Sequence, residues 1–355
     1  MDNPENRITR TGHGTDTSRG AVLVALSGGV DSCVCVHLLR EQGYQVRAVV
    51  MRMSELHQAV VDAAEAAAAS LEIPLTVLDL RQAFREQVIG YFLEEYSHGR
   101  TPNPCVFCNP WIKFRALVEE ADRQGCRWIA TGHYARVRQA GEEYQLWQAA
   151  SLERDQTYML YRLGQRELSR LLLPLAELEK PQVRTLAASL GLAAADLPDS
   201  QENCFISGKD YAAYIEEQLG TFPAGAFISP EGQVCGEHQG IIRYTVGQRK
   251  GLGIALGRPV FVRRIDPAEN RIYLGEDDRE PEARIAQVTT LSGRGLEEGA
   301  VQVKIRSAAP PVPAWLVPES DGALVRFALP QRAVAPGQSL VIYQNGQLLG
   351  GGVIQ

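Results

Sequence analysis

Ala21-Val22-Leu23-Val24-Ala25-Leu26-Ser27-Gly28-Gly29-Val30-Asp31-Ser32 decides the fold. Six apolar residues ended by a Ser-Gly-Gly turn read as a short strand buried on both faces, as in a parallel sheet. Beyond the turn, Val30, Val34, Leu38 and Leu39 recur at helical spacing and Gly43 marks the stop. Working outward, residues 44–53 and 73–80 read as further strands, 55–71 and 82–97 as helices, 99–109 as a loop, 110–124 as a helix and 127–132 as a strand. This alternation predicts an α/β fold: a doubly wound parallel sheet with helices on both faces and a ligand site at the carboxyl ends of the strands. Residues 133–150 read as a hairpin around Gly141-Glu142-Glu143, and 155–219 as mostly helical. After about Thr221 the texture changes to short strands rich in Gly and Pro. Residues 301–306, 323–329 and 339–354 carry strand patterns, and Asn345-Gly346 inside the last is a hairpin signal. The expected organisation is a disordered tail at 1–20, a catalytic α/β domain at 21–220, a small β-rich central domain at 221–280 and a C-terminal β-barrel at 281–355.

Composition narrows the classes. The chain has 355 residues, 45% hydrophobic and 22% charged, which excludes a disordered, collagen-like or coiled-coil chain. No run approaches the roughly 18 apolar residues of a membrane span. Residues 1–20 are polar and lack the apolar core of a signal peptide, so a cytoplasmic location without membrane partners is expected. Net charge is −6, but residues 236–355 carry 14 Lys and Arg against 12 Asp and Glu, leaving 22 against 30 for residues 1–235. The acidity lies in the front, and a local basic face at the rear is compatible with phosphate binding. Seven cysteines, an odd number, argue against a disulfide framework and for buried, metal-binding or catalytic thiols. Cys33 and Cys35 fall in an apolar helix pattern and read as core; Cys126 and Cys235 read as structural.

The Ser27–Ser32 turn has the physics of an anion site. Glycines let the backbone approach a phosphate, and free N–H groups at the helix start point toward it. Asp31 would repel phosphate unless Mg²⁺ lies between them, which points to metal–nucleotide binding. It is not a Walker loop. SGGVDS resembles the PP-loop of ATP pyrophosphatases (adenine nucleotide alpha hydrolase-like folds), which activate an oxygen by adenylation and release pyrophosphate. Further segments narrow the resemblance: Thr101-Pro102-Asn103-Pro104-Cys105-Val106-Phe107-Cys108-Asn109 with Ile112-Lys113-Phe114, Asp199-Ser200-Gln201-Glu202-Asn203-Cys204-Phe205-Ile206, Ala130-Thr131-Gly132-His133-Tyr134, Arg154-Asp155-Gln156 and the 247–253 run GQRKGLG. Together they resemble the tRNA-specific 2-thiouridylase family from about residue 21 to the C-terminus.

That resemblance implies ATP-dependent 2-thiolation of the wobble uridine in tRNAs for Lys, Glu and Gln, with no DNA partner. It implies ATP contacts at Ala25, Leu26, Ser27, Gly28, Gly29, Val30, Asp31, Ser32, Met51 and Gly132. Cys108 matches the nucleophilic or acid–base cysteine, and Cys204 the cysteine that carries the persulfide. Asn103, Pro104 and Cys105 match the place where the target base is held. His133, Arg154, Asp155, Gln156, Arg306 and Gln338 match tRNA-contacting positions, although Ser307 replaces the Tyr that would pair with Arg306. A sulfur donor or persulfide relay protein is a further implied partner. The chemistry agrees, because adenylating a uracil C2 oxygen makes it a leaving group, and a persulfide supplies a nucleophilic sulfur.

The family pattern carries Asp where this chain has Cys105. Three thiols at 105, 108 and 204 leave three readings open: a [4Fe–4S] cluster with an open fourth iron, a persulfide on Cys204, or a zinc site lacking an obvious fourth ligand. Two other functions also fit parts of the sequence. A PP-loop amidating ligase would stay active after Cys108→Ser. A cluster- or metal-containing RNA-binding protein would keep its RNA affinity after Asp31→Ala and release no pyrophosphate.

Overall fold

Strand β1 (Ala21–Ala25) takes the centre of a parallel sheet because Val22, Leu23 and Val24 have no exposed surface. The structure, a computed structural model, describes residues 19–192, 204–206, 208 and 210–355. Most of the expected tail and the 199–203 part of the second cysteine motif lie outside the described residues. The first segment runs β1, α1 (Val30–Glu41), β2 (Gln45–Arg52), α2 (Gln58–Ser70), β3 (Leu75–Asp79), α3 (81–97), α4 (104–123) and β4 (Trp128–Ala130). A hairpin follows, β5 (Arg136–Ala140) and β6 (Glu143–Trp147), then β7 (Leu171–Leu172), α5 (Lys180–Ser189) and α6 (Tyr211–Leu219). The sheet order is β3–β2–β1–β4–β7, all parallel. Successive side chains face opposite ways: Leu23, Val49 and Ile129 pack on one face, Val22, Val24, Ala48 and Val50 on the other. The order reverses at β1, so the Ser27–Ser32 turn opens at the switch point where such sheets bind ligands.

Two expectations need correction. The loop expected at 99–109 is already helical from Pro104. Proline lacks the N–H that a first helical turn leaves unpaired anyway, and its φ is preset for the turn. The helix then widens into a π-turn over Asn109–Phe114, where Pro110 cannot donate to the preceding turn. The 155–219 stretch, expected to be mostly helical, also holds a strand. Between short turns at Thr157–Leu160 and Gln165–Leu168 and the helices α5 and α6, Leu171–Leu172 adds an edge strand beside β4. A short apolar run of this kind cannot be told from buried helix by periodicity.

The second segment forms a four-stranded sheet, order β10–β11–β8–β9, from β8 (Gly225–Ile228), β9 (Val234–His238), β10 (Phe261–Asp266) and β11 (Arg271–Gly275). The third is a closed barrel of β12 (Arg279–Thr290), β13 (Gly299–Lys304), β14 (Val312–Glu319), β15 (Gly322–Arg332), β16 (Ser339–Gln344) and β17 (Gln347–Ile354), sealed by the β12–β17 pairing. Asn345 and Gly346 both adopt positive φ, 52° and 84°, as a two-residue hairpin turn demands. The β5–β6 hairpin extends this barrel sheet, with Leu146 opposite Leu348. Among the described residues no helix is long and apolar enough to cross a membrane.

The three segments meet at the strap leading into α4. Thr101 N–H donates to Pro336 O at 2.8 Å, Gln338 Nε2 donates to Thr101 O at 2.8 Å, and Thr101 Oγ1 donates to Thr245 Oγ1 at 3.2 Å. Gly337 has φ +90°, and a Cβ there would lie 2.9 Å from Thr101 N. Gly337→Ala is therefore expected to cost about 2 kcal/mol or more in unfolding free energy, from the left-handed backbone and the backbone collision together. A urea midpoint equal to that of the wild type would contradict it.

Candidate active site

The nucleotide turn is built by its own hydroxyls. Ser32 Oγ donates to Gly29 O at 2.9 Å, accepts from Ser27 N–H at 3.3 Å, and lies 3.3 Å from Ser27 Oγ. No side chain caps α1, whose N-cap is Gly29, so its first N–H groups face the turn. The two glycines do different things. Gly28 (φ +77°) is needed because a Cβ would sit 2.6 Å from the Ala63 backbone on α2. At Gly29 a Cβ would meet only Ser27 Oγ at 3.4 Å, so the open space above the turn lies there. Leu26 and Met51 are buried and Ala25 half-buried, so these positions offer a nucleotide mainly their backbone. Gly132 packs on Asp31, its Cβ position 3.2 Å from Asp31 Cβ.

Asp31 is engaged at both oxygens. Lys180 Nζ lies 2.7 Å from Oδ2, and Tyr134 Oη donates to Oδ1 at 2.8 Å. Lys180 is only 6% exposed. Tyr134 stands in the 130–134 motif with no implied role, and Lys180 lies outside every motif. One signal was available for Lys180. It opens α5, where the helix dipole disfavours a cation, so its placement needs a nearby anion.

The thiols converge at the same edge of the sheet. Cys108 is 4% exposed, and its Sγ lies 4.0 Å from Met53 Sδ, just past the end of β2. Burial pushes the Cys108 thiol up to about 12; Lys113 pulls it down, while Cys204 and Cys105 add to the rise. Cys204 is exposed, yet enough protein surrounds it that desolvation raises its thiol, with Lys113 again opposing. Burial works against the Lys113 ammonium, but Cys108, Cys105 and Cys204 outweigh it and hold it above the ordinary lysine value. Burial first, then Lys113, drives His133 down to about 3, so His133 is a neutral ring, its Nδ1 2.8 Å from Thr131 Oγ1. Lys113 is thus the cation that all three thiols share, although the Ile112-Lys113-Phe114 motif by itself implies no role for it. The π-turn matters here. At roughly 100° per residue an unbroken α-helix would swing residue 113 away from 105 and 108, whereas a wider turn returns it toward their face.

The remaining expected positions divide. Asn103 and Pro104 open α4, Asn103 half-buried with its Nδ2 3.9 Å from Met159 Sδ. Arg154 is half-buried, and Arg306 is exposed on a hollow of about 350 Å³ that Arg279 and Arg332 also line. Gln338 holds Thr101, as described. Asp155 is buried: its Oδ1 accepts from Ala149 N–H at 3.2 Å and its Oδ2 from Thr157 Oγ1 at 2.6 Å. Gln156 bonds Tyr134 through main chain and side chain. Among the described residues no three His, Cys, Asp or Glu side chains converge closely enough to hold a metal ion. Cys105, Cys108 and Cys204 as placed therefore do not fit a cluster or a zinc site.

Three family profiles tile the chain: tRNA methyl transferase HUP domain over residues 20–208, tRNA methyl transferase PRC-barrel domain over 212–276 and aminomethyltransferase beta-barrel domain over 283–354. The tRNA-specific 2-thiouridylase MnmA of Acetivibrio thermocellus is 42% identical over 358 residues, covering 95% of this chain and 100% of that one. The chain belongs to the tRNA-specific 2-thiouridylase family. Its counterparts in Chloroflexus aurantiacus and Clostridioides difficile are 44% and 40% identical, each covering 94% of this chain and 98% of the relative. The resemblance read from the cysteine motifs and the PP-loop is thereby borne out over nearly the whole length.

Proposed function

We propose that this protein catalyses ATP-dependent 2-thiolation of the wobble uridine in tRNA. The observation that carries the reading is the meeting of Cys108, Cys204 and Lys113 at the strand-end edge where the nucleotide turn opens. Residues 21–220 hold ATP and the thiols, 221–280 brace the strap, and 281–355 grip RNA. Mg²⁺ arrives with ATP as part of the substrate. The turn and the start of α1 receive the phosphates, and the uridine C2 oxygen displaces pyrophosphate from the α-phosphorus. An extruded base is needed, since C2 is unreachable within the anticodon stack.

Sulfur then enters from a persulfide on Cys204, the exposed thiol that a donor can reach. Its terminal sulfur attacks C2 and AMP leaves with the oxygen. Cys108 then attacks the Cys204 sulfur, giving a Cys108–Cys204 disulfide and freeing the 2-thiouridine. The Cys108 proton goes to solvent, the two thiols supply the two electrons, and an external thiol reductant resets the disulfide. Lys113 stabilises each thiolate as it forms.

The test is incubation with ATP, Mg²⁺, unmodified glutamate tRNA, a persulfide donor and a thiol reductant under argon, read by nucleoside mass spectrometry. 2-Thiouridine with one AMP and one pyrophosphate per base is expected. Pyrophosphate release that needs an amine and no tRNA would instead identify an amidating ligase.

A further inference from the structure

The nucleotide turn and the 152–156 turn are parts of one hydrogen-bonded network. Tyr134 is 3% exposed and donates its phenol to Asp31 Oδ1 at 2.8 Å. Its main chain is tied twice to Gln156. Tyr134 N–H donates to Gln156 Oε1 at 2.9 Å, and Gln156 N–H donates to Tyr134 O at 2.9 Å. The next residues reach the barrel. Thr157 Oγ1 donates to Asp155 Oδ2 at 2.6 Å and lies 3.1 Å from Tyr343 Oη on β16. Thr157 and Tyr343 have no exposed surface, so no water competes for these bonds. At the tip of the same turn Leu152 is 67% exposed. The segment thus has one end open to solvent, where an RNA could press, and the other bonded to the residue that holds Asp31. Burial first, then the Asp31 carboxylate, raises the Tyr134 phenol, so it remains a donor at any physiological pH.

We propose that Tyr134 is a positioning residue that couples tRNA binding to nucleotide binding, by linking the 152–156 turn to Asp31 of the nucleotide loop. Asp31 Oδ1 cannot keep Tyr134 as its partner and also turn fully toward an incoming magnesium–nucleotide. RNA pressing on the turn displaces the Tyr134 main chain through its two bonds to Gln156. That weakens the phenol bond and frees Oδ1. A ligand shifts an equilibrium only by its differential affinity for the two states, and here the states differ in one named bond. The protein therefore binds nucleotide more tightly with tRNA present, and by reciprocity tRNA more tightly with nucleotide present.

This inference rests on the thiolation reading for its RNA ligand, and its test reads binding instead of thiolation. Equilibrium dialysis measures the Kd of α,β-methylene-ATP with Mg²⁺, with and without an unmodified glutamate tRNA transcript, for the full chain and for Tyr134→Phe. The wild type is expected to gain about fivefold or more in nucleotide affinity from tRNA. Tyr134→Phe, which loses only the hydroxyl, is expected to bind nucleotide alone at least as tightly and to lose most of the gain, with tRNA affinity in the absence of nucleotide within about twofold of wild type. Thr157→Val, cut at the barrel end of the chain, is expected to reduce the gain as well. Undiminished coupling in Tyr134→Phe, or none in a wild type that binds both ligands, overturns the proposal and leaves the thiolation reading standing. Failure of the wild type to bind tRNA overturns both.

Discussion

Cys204→Ala and Cys108→Ala are each expected to lower 2-thiouridine formation by about a thousandfold or more, while tRNA-dependent pyrophosphate release stays within a few-fold of wild type. The split follows from where each group acts. Adenylation uses the nucleotide turn and the C2 oxygen and needs no thiol. On the proposed route, sulfur delivery needs Cys204 as carrier and Cys108 as the group that takes the carrier away. Removing a reacting atom forfeits the step it performs, and the two losses should not add, because the pair works as a unit. The variants also differ in what they accumulate. Cys108→Ala should trap tRNA on Cys204 as a reducible mixed disulfide; Cys204→Ala should show no covalent RNA adduct. Cys105 separates this route from a cluster. Cys105→Asp introduces the residue that the family resemblance implies at this position and is expected to keep thiolation within about threefold. A cluster held by three thiols would lose its iron and its activity with it. Equal loss in all three variants, together with iron in the purified wild type, would defeat the persulfide route.

How much of this was legible depends on the distance over which each contact acts. The strand 21–25 and its turn were readable because buried parallel strands have no polar face, and a glycine pair before a helix has few structural alternatives. The β5–β6 hairpin was readable locally, but its pairing with β17 joins residues some two hundred positions apart and left no trace in either stretch. The helix start at Pro104 was missed because Pro and Asn also mark loops, and only the tertiary strap at Thr101 distinguishes the two. The π-turn over Asn109–Phe114 slips the helical register by one residue, so a period of 3.6 alone does not bring Lys113 to the face of Cys105 and Cys108. Asp155 matches an RNA-contacting position by sequence, and in the structure its carboxylate accepts two hydrogen bonds from its own fold, which the sequence does not show. Sequence patterns give residue type and spacing; they do not say which side of a turn faces solvent.

Lys180→Met is the second change expected to act strongly, on both stability and nucleotide binding. Lys180 is 6% exposed and its Nζ sits 2.7 Å from Asp31 Oδ2. Methionine keeps the length and apolar stem of the side chain and removes only the ammonium, so packing is largely preserved. The charge left behind is the problem. Removing one partner of a buried ion pair costs about 3–5 kcal/mol when the survivor is fully enclosed. The Asp31 side chain keeps 31% exposure, and Tyr134 still donates to it, so about 2 kcal/mol in urea unfolding is the expected figure. Binding should suffer more. The site must take a polyanion beside a carboxylate, and without Lys180 the local charge turns from balanced to negative before ATP arrives. A loss of about 100-fold in Mg·ATP affinity is expected, against a change within about threefold for tRNA alone. The double variant Lys180→Met with Asp31→Asn separates the two effects. It removes both charges, so it should recover most of the stability, because the uncompensated anion is gone. It should not recover nucleotide affinity, because the Lys180 ammonium is still missing beside the phosphates. Recovery of both would mean that the pair is only a structural lock and that the phosphates are held by the backbone of the turn alone.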